Sequence, residues 1–362
     1  MKKKTFRLLV LALLTGMVMH TTYTFAQPDL QTVFSDNTYQ LTGVAVSKKG
    51  RVFVNYPLWS GPHKYCVVEV MEDGHSLPYP NIEMNSWKPG QDGTNKWVCV
   101  QAVYVDKDDY LYVVDPAAPQ MGLVYRNSNK VVKINLKTNQ IERTYRFTGV
   151  TDAHSYINDI RVDTKKQVAY ISNSGEGGII VLDLNTGKAR QLLMHDPSVH
   201  SDPTFKFVVD GKQLRKKGKP AKINSDGIAL TPDGDWLYYK PLTDKKLYRI
   251  STDALLNTRL SAKQLSQQVK YLGEIATTDG MICDKKGNLY MGDIQNYRMV
   301  QVTPDLRATT WFKSTDLIWP DSYAISGKYI YISTSQIQKQ PDYNNGVNKR
   351  TSPYMVYKVK LP

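Results

Sequence analysis

Cysteine and histidine are scarce in this chain, with three and six in 362 residues. Neither a CxxC spacing nor a Cys/His cluster occurs, which excludes the usual structural zinc site. The odd cysteine count leaves at least one thiol over. An oxidising compartment would permit Cys66 and Cys99 to pair, and Cys283, inside an apolar run, reads as a small buried hydrophobe. The absence of a GxSxG elbow excludes an α/β-hydrolase mechanism, and no glycine loop of the phosphate-cradling kind is present. No nucleic-acid-binding motif is visible either, so no nucleic acid is expected as partner. Acidic residues are outnumbered, 33 against 47 basic ones, for a formal charge of +14. Beyond the first 26 residues no apolar run approaches the length of a transmembrane helix.

Those 26 residues read as a signal peptide. Lys2, Lys3, Lys4 and Arg7 form a basic start, Leu8 to Val18 is apolar but too short to span, and Thr24-Phe25-Ala26 supplies a small residue for cleavage before Gln27. No cysteine follows the apolar stretch, so a lipid anchor is not expected. The expectation is a secreted or periplasmic protein with one domain, 27–362. Cleavage would lower the charge to about +10, a balance suited to anionic envelope surfaces or acidic ligands.

What is present is a repeat. TGVAVSKKGRVFV, QAVYVDKDDYLYVV, NDIRVDTKKQVAYI, DGIALTPDGDWLYY, DGMICDKKGNLYMG and DSYAISGKYIYIS are paired apolar runs around a tight turn. Each is followed by a third alternating run, the last being YMVYKVKL at 354–361. Six units over the remaining chain give about 56 residues each, the period of a four-stranded propeller blade. A six-bladed, all-β propeller is therefore expected. The sixth unit runs out of chain one strand short, and LQTVFS at 30–35 has strand character but no partner. It should close the ring as the missing outer strand. A fourth strand of the third unit is expected near 191–196. Insertions at 74–98, 196–222 and 253–268 break the repeat, and the last has the apolar spacing of one short helix. The basic cluster Lys212, Arg215, Lys216, Lys217, Lys219 and Lys222 lies in the second insertion and reads as a solvated loop.

A polar residue sits five positions before each turn: Thr42, Gln101, Asn158, Asp226, Asp279 and Asp321. In a propeller these six should face one central channel, where a small-molecule ligand would bind. Three carboxylates, two amides and a hydroxyl suit a hard cation such as Ca²⁺ or Mg²⁺, and equally an organic ammonium. The plain structural alternative is that each one caps backbone N–H groups at the channel mouth. His154, just ahead of the third inner strand, reads as a mouth or surface residue. His195 and His200 carry no assigned chemistry.

VFVNYPLWSG (52–61), LPYPN (77–81), HSDPTFKFVVDG (200–211) and SDGIALTPDGDWLYYKPL (225–242) resemble the yellow and major royal jelly protein family. That resemblance covers most of the mature chain and implies a secreted six-bladed propeller. The roles it implies differ: conversion of dopachrome-type intermediates, capture of biogenic amines, or storage. A more distant resemblance is to gluconolactonase-like propellers, which hold a divalent ion in the channel. It would place Asp279 in a DG pair, Asn158 in an ND pair and Asp226 where an NG pair is expected, making Asn158, Asp226 and Asp279 the possible metal ligands. Thr42 stands where the glutamate ligand of those propellers is expected, and the asparagine of their ND pair lies near the substrate. Three functions follow: a channel that binds a small molecule or cation, a metal-dependent hydrolase or isomerase (lactonase-like or dopachrome-converting), or a non-catalytic envelope interaction module. The oligomeric state is left open.

Overall fold

Apolar side chains alternating with polar ones between turn residues make strands with one packed face each, and here they stack edge to edge in a ring. The computed structural model describes residues 28–61 and 63–362. The signal peptide assigned to 1–26 and the cleavage before Gln27 lie outside the described residues. Among those described, six four-stranded antiparallel sheets follow one another in chain order, each built outward from an inner strand. The inner strands of blades 1 to 6 are Val44–Val46, Ala102–Val105, Ile157–Asp163, Ser225–Leu230, Met281–Cys283 and Pro320–Ser326.

The ring closes as the sequence suggests. Gln31–Asp36 pairs with Tyr354–Lys360, from Gln31 opposite Lys358 to Asp36 opposite Tyr354, and becomes the outer strand of blade 6. Phe34 is buried there, and Asp36 accepts from the Tyr56 hydroxyl at 2.8 Å, tying the strand to blade 1. Six apolar clusters fill the seams between neighbouring blades. One joins Phe53 and Val67 of blade 1 to Leu111 and Val132 of blade 2, and another joins Phe34 and Val356 of blade 6 to Val54 of blade 1. A seventh cluster is made of loops instead. Trp59, Phe207, Leu214, Leu242, Trp319 and Ile337 pack over one end of the channel.

The hairpin turns show why the repeat is so regular. Five residues after each ring position comes Ser47, Asp106, Asp163, Thr231, Asp284 or Ser326. The side-chain oxygen of each of the first five accepts from backbone N–H groups of its own turn. Such a local cap fixes the turn independently of the rest of the fold.

Several expectations change. The fourth strand of blade 3 is Ala189–Leu192, not 191–196. The stretch 253–268 holds two helices, Thr252–Leu256 and Ala262–Ser266, because Ser261 caps the second with a reciprocal Gln264 bond and breaks the first run. The first insertion begins with Ser76–Pro78, the outer strand of blade 1. Its far end is pinned by the buried Lys130, which donates to Asp115 at 2.9 Å and to the Gly93 carbonyl at 3.1 Å. The basic insertion folds into two small hairpins, Val208–Val209 with Lys212–Gln213 and Arg215–Lys216 with Lys219–Pro220. Cys66 and Cys99 are both buried free thiols.

Candidate functional site

Bulges decide what faces the channel. The inner strands of blades 3, 4 and 6 shift register between Ile157 and Ile160, Ser225 and Ile228, and Pro320 and Tyr323. A bulge sets two residues against one on the partner strand and breaks the strict alternation of faces. Asp159, which alternation would send away from Asn158, is consequently buried close enough to act electrostatically on Asp226, Asp279 and Asp321. Opposite the bulges of blades 3 and 6 stand Ser172 and Ser333, whose hydroxyls accept from Asp159 N and Ser322 N at 3.1 and 3.0 Å. In blade 4 that position is Lys240.

All six ring residues are buried at the starts of inner strands, and four of them line one cavity of about 410 Å³: Gln101, Asn158, Asp226 and Asp279. The cavity lies under the loop cluster, and Trp59, Tyr156, Trp319 and Tyr343 form its aromatic walls. Thr42 is turned to structural use. Its hydroxyl donates to the Gln101 carbonyl at 3.0 Å and accepts from Asn55 Nδ2 at 2.9 Å, joining blades 1 and 2. Asp321 stands beside the cavity, its carbonyl accepting from Gly280 N at 2.8 Å and its Oδ2 without a partner. His154 is an exposed residue of the cavity rim.

The floor is tightly bonded. Asn158 Nδ2 donates to Asp226 Oδ2 at 2.9 Å and to Ser174 Oγ at 3.1 Å, and the Trp319 indole donates to Asp279 Oδ2 at 2.6 Å. Tyr156 links the walls to Gln101, accepting from Trp59 Nε1 at 2.8 Å and donating to Gln101 Oε1 at 2.9 Å. The glycines after the two acids answer to crowding. A Cβ on Gly227 would lie 2.2 Å from the Asp279 carbonyl oxygen, and one on Gly280 would lie 2.5 Å from that of Asp321.

Asp226 and Asp279 lie within hydrogen-bonding reach of each other, and Asp226 Oδ1 finds no other donor. Two carboxyls bond only through a proton. Burial holds Asp226 well above the usual carboxylate range, helped by the Asp279 charge, and pushes Asp279 up to about 7. Of the two, Asp226 is the carboxyl that holds its proton to higher pH and can donate it to Asp279. Burial also raises Asp321 and Asp159. Below them Arg161 plugs the channel, bonded to the Ile160 and Met281 carbonyls at 2.6 Å and lying 3.7 Å from Asp159. A second cavity, about 500 Å³, opens beyond Arg161, but its Asp106 and Asp284 are spent on capping turns.

The set Asn158, Asp226 and Asp279 does not fit Ca²⁺ or Mg²⁺ as arranged. Asn158 presents its N–H to Asp226, Asp279 Oδ2 is taken by an indole, and Thr42 has turned away, whereas Ca²⁺ needs six to eight oxygens. Among the described residues, no group of three or more His, Cys, Asp or Glu side chains is placed to hold a metal. Nor is any helix among them long and apolar enough to cross a membrane.

Sequence reasoning missed the aromatic walls, Asp159 and Lys240. Tyr156 and Trp319 carried a usable signal, since each stands two residues before a ring position. Lys240 lies within the LYYKPL phrase. Tyr343, in a loop after the sixth hairpin of apolar runs had ended, carried none.

The fold is shared with solved propellers. A calcium-binding regucalcin from Agrobacterium tumefaciens superposes with a TM-score of 0.56 at 11% identity, over 92% of this chain and 93% of that one. A gluconolactonase from Xanthomonas campestris gives 0.55 at 11% identity, over 93% and 91%. At such identity the likeness concerns the fold alone. By sequence, major royal jelly protein 5 of Apis mellifera is 24% identical over 273 residues, 68% of this chain and 42% of the bee protein. Major royal jelly protein 3 is 26% identical over 212 residues, 54% and 36%. This chain thus spans less than half the length of each bee relative it matches. The family model described as "Major royal jelly protein" matches residues 98–361, which takes in blades 2 to 5, the three C-terminal strands of blade 6, the basic hairpins and the whole carboxyl pair; the chain belongs to the major royal jelly protein family.

Proposed function

We propose that this protein binds a small organic ammonium compound, an arylalkylamine, in the cavity above Asp226 and Asp279. One observation carries the reading: a buried carboxyl pair short of a hydrogen-bond donor forms the floor of a cavity walled by indole and phenol rings. An ammonium group brings three donors and a full charge. On entry it displaces the shared proton and satisfies both carboxylates, while the rings take its apolar body and part of its charge. Each such cation–aromatic contact is worth about 0.5–2 kcal/mol. Among the roles implied by the family resemblance, amine capture is the one this floor chemistry favours. Export through residues 1–26 would place the binding outside the cytoplasm and belongs to the same proposal.

The shared proton favours a second reading, an isomerase in which the pair moves a proton on a bound ring. A carboxyl that titrates near 7 suits general acid–base work. Turnover of an oxidised catechol by the purified protein would separate the second reading from the first.

Calorimetric titration with phenethylamine tests the first. Saturable one-to-one binding with proton release is expected. Asp279→Asn should weaken it by roughly 1–3 kcal/mol, the usual worth of a hydrogen bond to a charged group, with folding preserved. An unchanged affinity in Asp279→Asn, or no binding of arylalkylamines, would overturn the assignment.

A further inference from the structure

The cavity is acidic at its buried end and basic at its open end. Lys216 and Lys222, from the second basic hairpin and the chain that leaves it, line the same cavity as Asp226 and Asp279. The floor carboxyls are buried, whereas the Lys216 side chain is 30% exposed.

Lys216 is weakly satisfied for an ammonium group. Its Nζ meets Met121 Sδ at 3.0 Å, a poor acceptor, and the half-exposed Asp342 only at 3.8 Å. Partial burial holds its pKa below the usual lysine value, so a stronger anionic partner would be welcome. Lys222 Nζ donates to the Asp202 and Phe205 carbonyls, two uncharged acceptors. The same hairpins carry Lys212, Arg215, Lys217 and Lys219 outward against the single acid Asp210, a net basic field that draws anions toward the opening.

Building on the amine reading above, we infer that the ligand is a zwitterion with separated charges: an aromatic amine whose opposite end bears a carboxylate, sulfate or phosphate. The ammonium sits on Asp226 and Asp279, the ring lies between Trp59, Tyr156 and Trp319, and the anionic end reaches Lys216 and Lys222. An α-amino acid, whose two charges are adjacent, would bring its carboxylate down onto the floor acids and is disfavoured. The basic cluster thereby acquires a role as the selective rim of the site.

Three probes test this: phenethylamine, 4-(2-aminoethyl)benzoate and 4-ethylbenzoate, titrated into the wild type, Lys216→Gln, Lys222→Gln and Lys216→Arg. The zwitterion should bind roughly fivefold or more tighter than phenethylamine, as fits a half-exposed ion pair. Lys216→Gln and Lys222→Gln should each erode that advantage without weakening phenethylamine, whose ammonium loses only a like charge, and Lys216→Arg should restore the advantage. Equal affinities for phenethylamine and the zwitterion, or an advantage that survives both lysine substitutions, would overturn the zwitterion and leave the amine site standing. If neither amine binds, the floor assignment fails and the zwitterion falls with it. Binding of 4-ethylbenzoate alone would point to an anion site and overturn both.

Discussion

Lys240 stands across the blade 4 strand pair from Asp226, because Ser225 pairs with Pro241 and Ile228 with Tyr239. Its side chain is wholly buried, and its Nζ donates to the carbonyls of Pro241 and Asp244 at 2.6 and 2.8 Å. Burial lowers its pKa to about 8, against the pull of Asp244, Asp226 and Asp279. The fold therefore sets a cation behind the carboxyl pair, and its charge helps keep Asp279 as low as about 7.

Replacing that cation should move the proton. Lys240→Met removes the charge with modest change in length, so the Asp279 carboxyl should titrate at higher pH. Read as amine affinity against pH, the wild type should gain affinity as pH rises through about 7, where Asp279 loses its proton. The variant's midpoint should lie higher. An unmoved midpoint would show that Lys240 is electrically isolated from the floor.

Stability should carry the same signature in the ligand-free protein. An aspartate titrates near 3.9 in the unfolded chain and Asp279 at about 7 in the folded one. Between those values the folded state holds a proton that the unfolded state has lost, so stability falls as pH rises from about 4 through 7. Lys240 works in the opposite window. From about 8 to the unfolded lysine value near 10.4 the unfolded state holds the extra proton, and stability recovers as pH rises. Urea melts of the wild type and Asp279→Asn at several pH values isolate the contribution of Asp279 together with the groups its charge acts on, Asp226, Asp321 and Lys240, since more distant groups cancel in the difference. The difference curve should slope between pH 4 and 7; a flat one would contradict the buried, protonated pair.

Ring closure rests on a single strand. Phe34→Ala should cost about 3–5 kcal/mol, the range for a buried phenylalanine. Removing 28–36 should lower the melting temperature further, because Tyr354–Lys360 becomes an open edge and Tyr56 loses Asp36. A melting curve unchanged by the deletion would mean the ring is held without this strand.

The parts legible in the sequence were those set by neighbours along the chain. Alternation within each run is local and repeats six times, and a polar side chain that caps its own turn, as Asp106, Asp163 and Asp284 do, is local and repeats in five of the six turns. They give the blade count, the inner-strand starts and, through one orphan strand at 30–35, the closure. Even the buried positions of Thr42 and Asp226 followed from that offset.

What those residues do was decided by contacts that no local pattern encodes. Thr42 is spent on the Gln101 carbonyl, while Asp226, at the equivalent place, meets Asn158 from 68 residues away and shares a proton with Asp279. The bulge that turns Asp159 inward depends on how two strands register, and the Trp319 bond to Asp279 spans 40 residues. Four aromatic walls converge from loops of different blades, and a loop residue's direction is fixed only by what packs against it. The sequence by itself determined the ring and where its channel begins. Tertiary packing alone decided which carboxyls meet, which keeps a proton, and which lysines stand over the opening, because charge and burial act through space and not along the chain.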